Sequence, residues 1–241
     1  MTPKLYYLPP SPPCRSVLLL GKILGVEFNL KELNIMQGDH LKHDFLQLNP
    51  THTIPTLEVA DSDIVLWESR VILTYLTCAY GKSDHEHLYP KDYNKRALVD
   101  LHLHFDLSTL YQRMLEYYFP TIILGAPLDE SKKARLAEAL GFLETMLKGK
   151  RFSTGDAFTL ADLTLAVTTS QIEAFEFDLR PYPKVRKWLE ECKKELEPYN
   201  YQVNKTSIFD MYLNLFCKLS YFTGNQSNWC RYAVWTISFQ T

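Results

Sequence analysis

Apolar side chains in the first third of the chain switch between strand-like and helical spacing. Lys4 to Leu8 (KLYYL) is a short apolar strand candidate that ends at a cluster of prolines. Pro13 suits a first helical turn, where its missing N–H does no harm. Val17, Leu18, Leu20, Ile23 and Leu24 then predict a mainly buried helix, and Gly25 sits where it should stop. Glu27 to Leu33 alternates like a second strand. Phe45, Leu46 and Leu48 suggest a short helix halted by Asn49-Pro50. Thr56 to Val59 and Ile64 to Trp67 read as a hairpin about the turn Ala60 to Asp63, and Arg70 to Tyr80 carries Val71, Ile72, Tyr75, Leu76 and Ala79 at helical spacing. The order β-α-β-α-β-β-α predicts an α/β unit with a mixed sheet.

From about Tyr93 the strand signals vanish. Leu98, Leu101, Leu103, Phe105, Leu107, Leu110 and Met114 fill a long helix that is apolar on more than one side, as inside a bundle. Leu136, Leu140, Leu143 and Leu147 trace a second helix. Thr159-Leu-Ala-Asp162 resembles a capping box opening a third, through Leu165, Val167 and Ile172. Val185, Trp188, Leu189, Cys192 and Leu196 form a further stripe. The expected class is therefore α/β plus all-α. An N-terminal domain spans residues 1–82, a polar linker 83–92, and a helical domain 93–202. The tail, residues 203–241, is aromatic and apolar without a clean period (MYLNLFCKLSYF, WCRYAVWTISF), and is expected to be atypical and poorly folded.

Composition changes this picture little. The 241 residues can bury a substantial core, and 46% hydrophobic and 22% charged residues are ordinary for a soluble protein. A formal charge of −2 gives no reason to expect nucleic acid or an anionic membrane as partner. Neither a signal-like stretch nor a bilayer-length apolar run appears, so a cytoplasmic setting is expected. The five cysteines are far apart and form no CxxC pair, which argues against a metal site or a disulfide framework. His102 and His104 alternate on a helix, point to different faces, and do not suggest a metal.

Three features suggest chemistry. YYLPPSPPCRSVLLL places Ser11 and Cys14 at a strand-to-helix turn, with a hydroxyl and a thiol near a helix N-terminus. Ile54-Pro55 precedes a strand at a position that marks a strand start or a turn, leaving a backbone edge able to dock an extended peptide. Glu68-Ser69-Arg70 opens a helix directly after a strand, where free N–H groups and the Ser69 hydroxyl could hold a carboxylate. A short peptide with a terminal carboxylate fits the last two. Each residue also has a plainer role: Ser11 as a turn residue, His40 and His52 as surface loop residues, Glu68 and Ser69 as caps, Arg70 and Asp106 as a structural ion pair, and Tyr111, Met114 and Phe119 as core.

SPPCRS after YYL, NPTHTIPTL (49–57), LWESRVILTYL (66–76), YPKDYNKRALV (89–99), FDLSTLYQ (105–112) and the TLAD cap together resemble the arthropod delta class of cytosolic glutathione transferases, with the epsilon class sharing several of these motifs. The resemblance covers roughly residues 4–201. It implies a thioredoxin-like N-terminal domain, a helical C-terminal domain, a homodimer, and glutathione as co-substrate with no metal. It also implies that the Ser11 hydroxyl hydrogen-bonds the glutathione sulfur. His40 and His52 would lie near the glycyl end of glutathione. Ile54, with Pro55 as the family's cis-proline, would meet its cysteinyl part, and Thr53 would also belong to the glutathione-binding set. Glu68, Ser69 and Arg70 would hold its γ-glutamyl end, with Asp106 linked to them. Leu8, Pro12, Pro13, Ile35, Tyr111, Met114 and Phe119 would line an apolar substrate pocket.

Only a thiolate attacks well, and an unperturbed thiol with a pKa of about 8.5 is largely protonated at neutral pH. A hydroxyl donor at a helix mouth favours the anion, so Ser11 is expected to donate a hydrogen bond and not to act as nucleophile. The expected reactions are attack of glutathione on apolar electrophiles, as in xenobiotic detoxification, or thiolate-assisted elimination such as dehydrochlorination. The alternatives are a non-catalytic carrier of glutathione or hydrophobic ligands, and a thiol oxidoreductase working through Cys14. Cys14 is otherwise a packed structural thiol. The sequence departs from the family at Pro10 and Pro12, where small residues are usual, and after Gln202, where the family's pocket-covering segment is absent.

Overall fold

The computed structural model describes residues 2–201. The expectation for the tail, residues 203–241, lies outside them.

Four short strands make one mixed sheet in the order β2-β1-β3-β4: β1 (Lys4–Tyr7), β2 (Asn29–Glu32), β3 (Thr56–Glu58) and β4 (Val65–Trp67). β1 runs parallel to β2 and antiparallel to β3, and β3 pairs antiparallel with β4. The parallel β1–β2 pair requires a crossover, supplied by helix α1 (Pro12–Leu24). Gly25 closes that helix in the left-handed conformation (φ 70°) that a residue without Cβ adopts freely. Helix α2 (His43–Leu48) precedes β3, and α3 (Ser69–Tyr80) follows β4. β2 is shorter than the alternation of Glu27 to Leu33 suggests. Its four residues, Leu30 among them, are exposed on the sheet edge, while Phe28 and Leu33 flank its ends and pack against buried neighbours.

The helical domain comprises α4 (Tyr93–Phe105), α5 (Gln112–Leu124), α6 (Glu130–Met146), α7 (Leu160–Ala174) and α8 (Pro183–Leu196). A π-helical stretch, Asp106–Tyr111, joins α4 to α5, so the long helix expected from Tyr93 continues to Leu124 with a change of phase. Helix α7 is buried along nearly its whole length and forms the axis of the bundle. Its start is fixed by Asp162, which accepts from the Thr159 N–H (3.0 Å) and hydroxyl (3.0 Å), the Ser153 N–H (2.6 Å) and the Trp188 indole N–H (2.9 Å). The local cap is thereby tied to a loop and to α8.

One hydrophobic core runs through both domains, from Leu5, Val17, Leu20 and Leu57 to Leu163, Val167 and Trp188. Helix α1 bridges them, packing on α3 on one side and on α7 on the other. Among the described residues no helix is long and apolar enough to cross a membrane.

Candidate active site

The turn after β1 is closed by the Ser11 N–H on the Leu8 carbonyl at 3.1 Å. Ser11 is the N-cap of α1 (φ −65°, ψ 118°), the extended geometry that a following proline enforces. Pro12 and Pro13 occupy the first two helical positions, so neither offers an N–H. The Ser11 hydroxyl caps no backbone group of the helix.

Ser11 lines a cavity of about 530 Å³. Leu8, Pro10 and Pro12 flank it, Ile35 and Met36 form a second wall with Glu32 and Asn34, and His40, His52, Thr53 and Ile54 a third. The fourth wall, Tyr111, Phe119, Ile122 and Ile123, comes from the end of the π-helical stretch and from α5, so both domains build the cavity. The His40 and His52 rings are 6.0 Å apart, and the His40 Nδ1 is buried without a partner.

The loop carrying Thr53 and Ile54 is held by Asn49, which is fully buried. Its amide donates to the Thr53 carbonyl (3.0 Å), the Thr53 hydroxyl (3.3 Å) and the Thr56 hydroxyl (2.9 Å), and its oxygen accepts from the Thr51 N–H and hydroxyl. The Ile54–Pro55 peptide is cis. Among the described residues the Ile54 N–H and C=O have no hydrogen-bond partner, as a strand-docking edge requires.

Glu68, Ser69, Arg70 and Asp106 do not line this cavity; they cluster at the start of α3. Glu68 is the N-cap at φ 68°, a conformation uncommon for a residue with a Cβ, and its carboxylate is exposed. Arg70 donates to the Ser69 hydroxyl at 2.7 Å and pairs with the buried Asp106 carboxylate. The Arg70 guanidinium lies 5.6 Å from the centre of the Tyr111 ring, which joins this cluster to the cavity wall.

Met114 and Pro13 stand apart from the cavity lining. Met114 is 1% exposed and packs in the common core, and Pro13 is buried in the first turn of α1. Residues that sequence reasoning missed are Pro10, Glu32, Asn34, Met36, Ile122 and Ile123. The last two continue the helical spacing of Phe119 and were findable from it; the loop residues carry no periodic signal. Cys14 is fully buried, and burial pushes its thiol up to about 11, which speaks against Cys14 as an attacking thiolate.

Residues 10–78 match the glutathione S-transferase N-terminal domain family, and residues 108–195 match the glutathione S-transferase C-terminal domain family. The chain belongs to the glutathione S-transferases. It is 64% identical over 207 residues to glutathione S-transferase D7 of Anopheles gambiae, covering 86% of this chain and 93% of that protein. Among solved structures it is similar to the Bombyx mori glutathione transferase BmGSTD1 (TM-score 0.84, 44% identity, covering 89% of this chain and 98% of that one). It is also similar to a delta-class glutathione transferase of Nilaparvata lugens (TM-score 0.82, 43% identity, covering 88% and 99%). The glutathione transferase fold and the delta class are thus shown, and the cavity lies where a thioredoxin-like domain meets the helical one.

Proposed function

We propose that this glutathione transferase activates bound glutathione through the Ser11 hydroxyl and directs the thiolate at apolar electrophiles. The observation that carries the reading is the state of Ser11: it lies on the cavity wall at a helix mouth, and its hydroxyl is committed to no main-chain cap. With Pro12 and Pro13 lacking N–H groups, a side-chain donor has to supply what main-chain donors give at other helix starts. The free main-chain edge of Ile54 suits the cysteinyl backbone of glutathione. His40, His52 and Thr53 suit its glycyl side, and the Glu68–Ser69–Arg70 cluster, braced by Asp106, suits its γ-glutamyl end. Leu8, Ile35, Tyr111 and Phe119, with Ile122 and Ile123, give the electrophile apolar walls.

Sulfur attack on a carbon bearing a leaving group, and thiolate-assisted elimination of hydrogen halide, both start from this anion, so detoxification of xenobiotics and dehydrochlorination share one activation step. Exposed Val71 on α3 and Leu98 and Leu101 on α4 are apolar surface that a homodimer would bury. The free cysteines among the described residues, Cys78 exposed among them, suit a reducing cytoplasm.

Ser11→Ala tests the reading. A hydrogen bond to a charged group contributes roughly 1.5–3 kcal/mol, so the bound thiol's pKa should rise by about one to two units. Conjugation of a generic aryl halide below neutral pH should fall about ten- to a hundredfold. An unchanged thiol pKa with unchanged turnover would sink it. Retention on glutathione resin without conjugation of any electrophile in a broad panel would favour a carrier.

A further inference from the structure

The sheet carries two carboxylates, and they differ in what balances them. Glu58 on β3 pairs with the Lys4 ammonium at 2.9 Å and accepts from the Tyr6 hydroxyl at 2.6 Å. Glu32, the last residue of β2, is exposed and has no hydrogen-bond or ion-pair partner among the described residues. It stands opposite Tyr7 in the parallel register and lines the cavity together with Leu8 and Ile35. Lys31, its neighbour in sequence, points to the other face of the strand. The Asn34 side-chain oxygen on the same wall is already spent, accepting from the Met36 N–H at 3.1 Å and the Gln37 N–H at 3.2 Å. Among the described residues the cavity wall holds no lysine, no arginine and no second carboxylate. Its other titratable groups are His40 and His52, on the wall read as the glycyl side, and the Tyr111 phenol.

We propose that Glu32 is a specificity-determining residue: among otherwise apolar electrophiles it favours those that carry a positively charged group and disfavours those that carry an anionic one. The inference rests on the reading of Leu8, Ile35, Tyr111 and Phe119 as the electrophile's walls. Glu32 takes no part in the bond changes, in which the thiolate sulfur bonds to carbon and the halide leaves with the electron pair of the broken bond. Its charge acts on whatever group the electrophile carries beside the reacting carbon. A carboxylate with no partner presents its whole charge to a ligand, whereas one paired as Glu58 is has its field mostly cancelled. The remaining wall accepts a cation too. The faces of Tyr111 and Phe119 attract positive charge through the ring quadrupole, and the Met36 thioether is soft and polarizable. Because Glu32 is exposed, water screens it, and the size of the effect is that of a solvent-exposed ion pair.

Three nitro-activated aryl chlorides that differ only in the group para to chlorine, a carboxamide, a carboxylate or a trimethylammonium, test this with the full chain. Their intrinsic reactivities cancel when each variant is compared with the parent on the same probe. Glu32→Gln should lower kcat/KM for the cationic probe about two- to fivefold relative to the neutral one, and raise it for the anionic probe by a similar factor. Glu32→Lys should carry both ratios further in the same direction, and added salt should compress the parent's preference. Both substitutions fall on an exposed strand end, outside the core.

Probe ratios that stay at the parent values in both variants overturn the proposal, whether the three rates hold still or move together. In the second case the pKa of enzyme-bound glutathione, read from its thiolate absorbance, shows whether the carboxylate acts on the sulfur instead. The parent enzyme separates the two levels. If it conjugates none of the three probes, the reading of the cavity as an electrophile site falls and this inference with it; if it conjugates them and the ratios ignore both substitutions, only the role of Glu32 falls.

Discussion

Removing one partner of the Arg70–Asp106 pair should cripple stability and glutathione binding together. The Asp106 side chain is 0% exposed and that of Arg70 9%, so neither charge can turn to water when the other is lost. Asp106→Ala would leave a buried guanidinium facing no counter-charge, and Arg70→Met a buried carboxylate in the same position. Breaking a buried pair from one side costs about 3–5 kcal/mol. For a domain pair of this size that corresponds to a fall in Tm of roughly 10 °C. The double variant Arg70→Met/Asp106→Leu removes both charges and should cost much less than the sum of the singles, a coupling of about 2 kcal/mol or more. Function should follow, because Arg70 also donates to the Ser69 hydroxyl at 2.7 Å and lies against the Tyr111 ring of the cavity wall. Each single variant should raise KM for glutathione about tenfold, and the double variant should not recover it. Equilibrium urea unfolding and initial-rate kinetics measure the two effects. Additive stability losses, or a KM left at the parent value, would refute the reasoning.

Asn49→Ala strips the 51–56 loop of its shared hydrogen-bond hub and should cost roughly 2–4 kcal/mol in thermal unfolding and raise KM for glutathione. Burial lowers the pKa of His102 from 6.5 to about 4, with Lys150 adding to the shift. Protonation therefore favours the unfolded chain: the His102 term is silent above pH 6.5, and stability falls between pH 6.5 and 4 by up to about 3 kcal/mol, a slope that His102→Leu should flatten in urea titrations. Met114→Ala should destabilise by about 2–5 kcal/mol while leaving relative kcat/KM across a panel of electrophiles unchanged. Phe119→Ala, on the cavity wall, should do the reverse, altering that ranking with little loss of stability.

Elements whose signals are local were legible in the sequence. The proline turn before α1, the cap at Thr159–Asp162 and the stripes of α3 and α8 depend on residues within a few positions of one another, and each appears with nearly the expected bounds. What escaped depends on distant geometry. The expected second strand is shorter because only Asn29 to Glu32 pair with β1, and Leu30, on which the alternation turns, is 47% exposed at the sheet edge. Met114 stood in the expected pocket, but within α5 it precedes Phe119 by five residues, which puts it on a different face of the helix, packed in the core. Phe119, Ile122 and Ile123, three and four residues apart, share one face of α5 and one wall of the cavity.

Physically, the candidate site is a question of which donors remain at the mouth of α1. An ordinary helix start offers four free N–H groups, and an anion there is held by several of them at once. Pro12 and Pro13 delete two, and the Ser11 N–H already bonds the Leu8 carbonyl at 3.1 Å. The field at this helix start is correspondingly thin in main-chain donors, and the proposed activation of a sulfur there would fall to side-chain chemistry. A single hydroxyl can meet that demand only if its one proton is aimed, because a freely rotating donor spends part of its time pointing elsewhere. Pro12 also favours the extended N-cap conformation of Ser11, whose hydroxyl caps no main-chain group of the helix. Pro12, one of the two prolines that depart from the family's usual pattern, thus makes the orientation of the Ser11 hydroxyl decisive for the proposed acidification of the bound thiol.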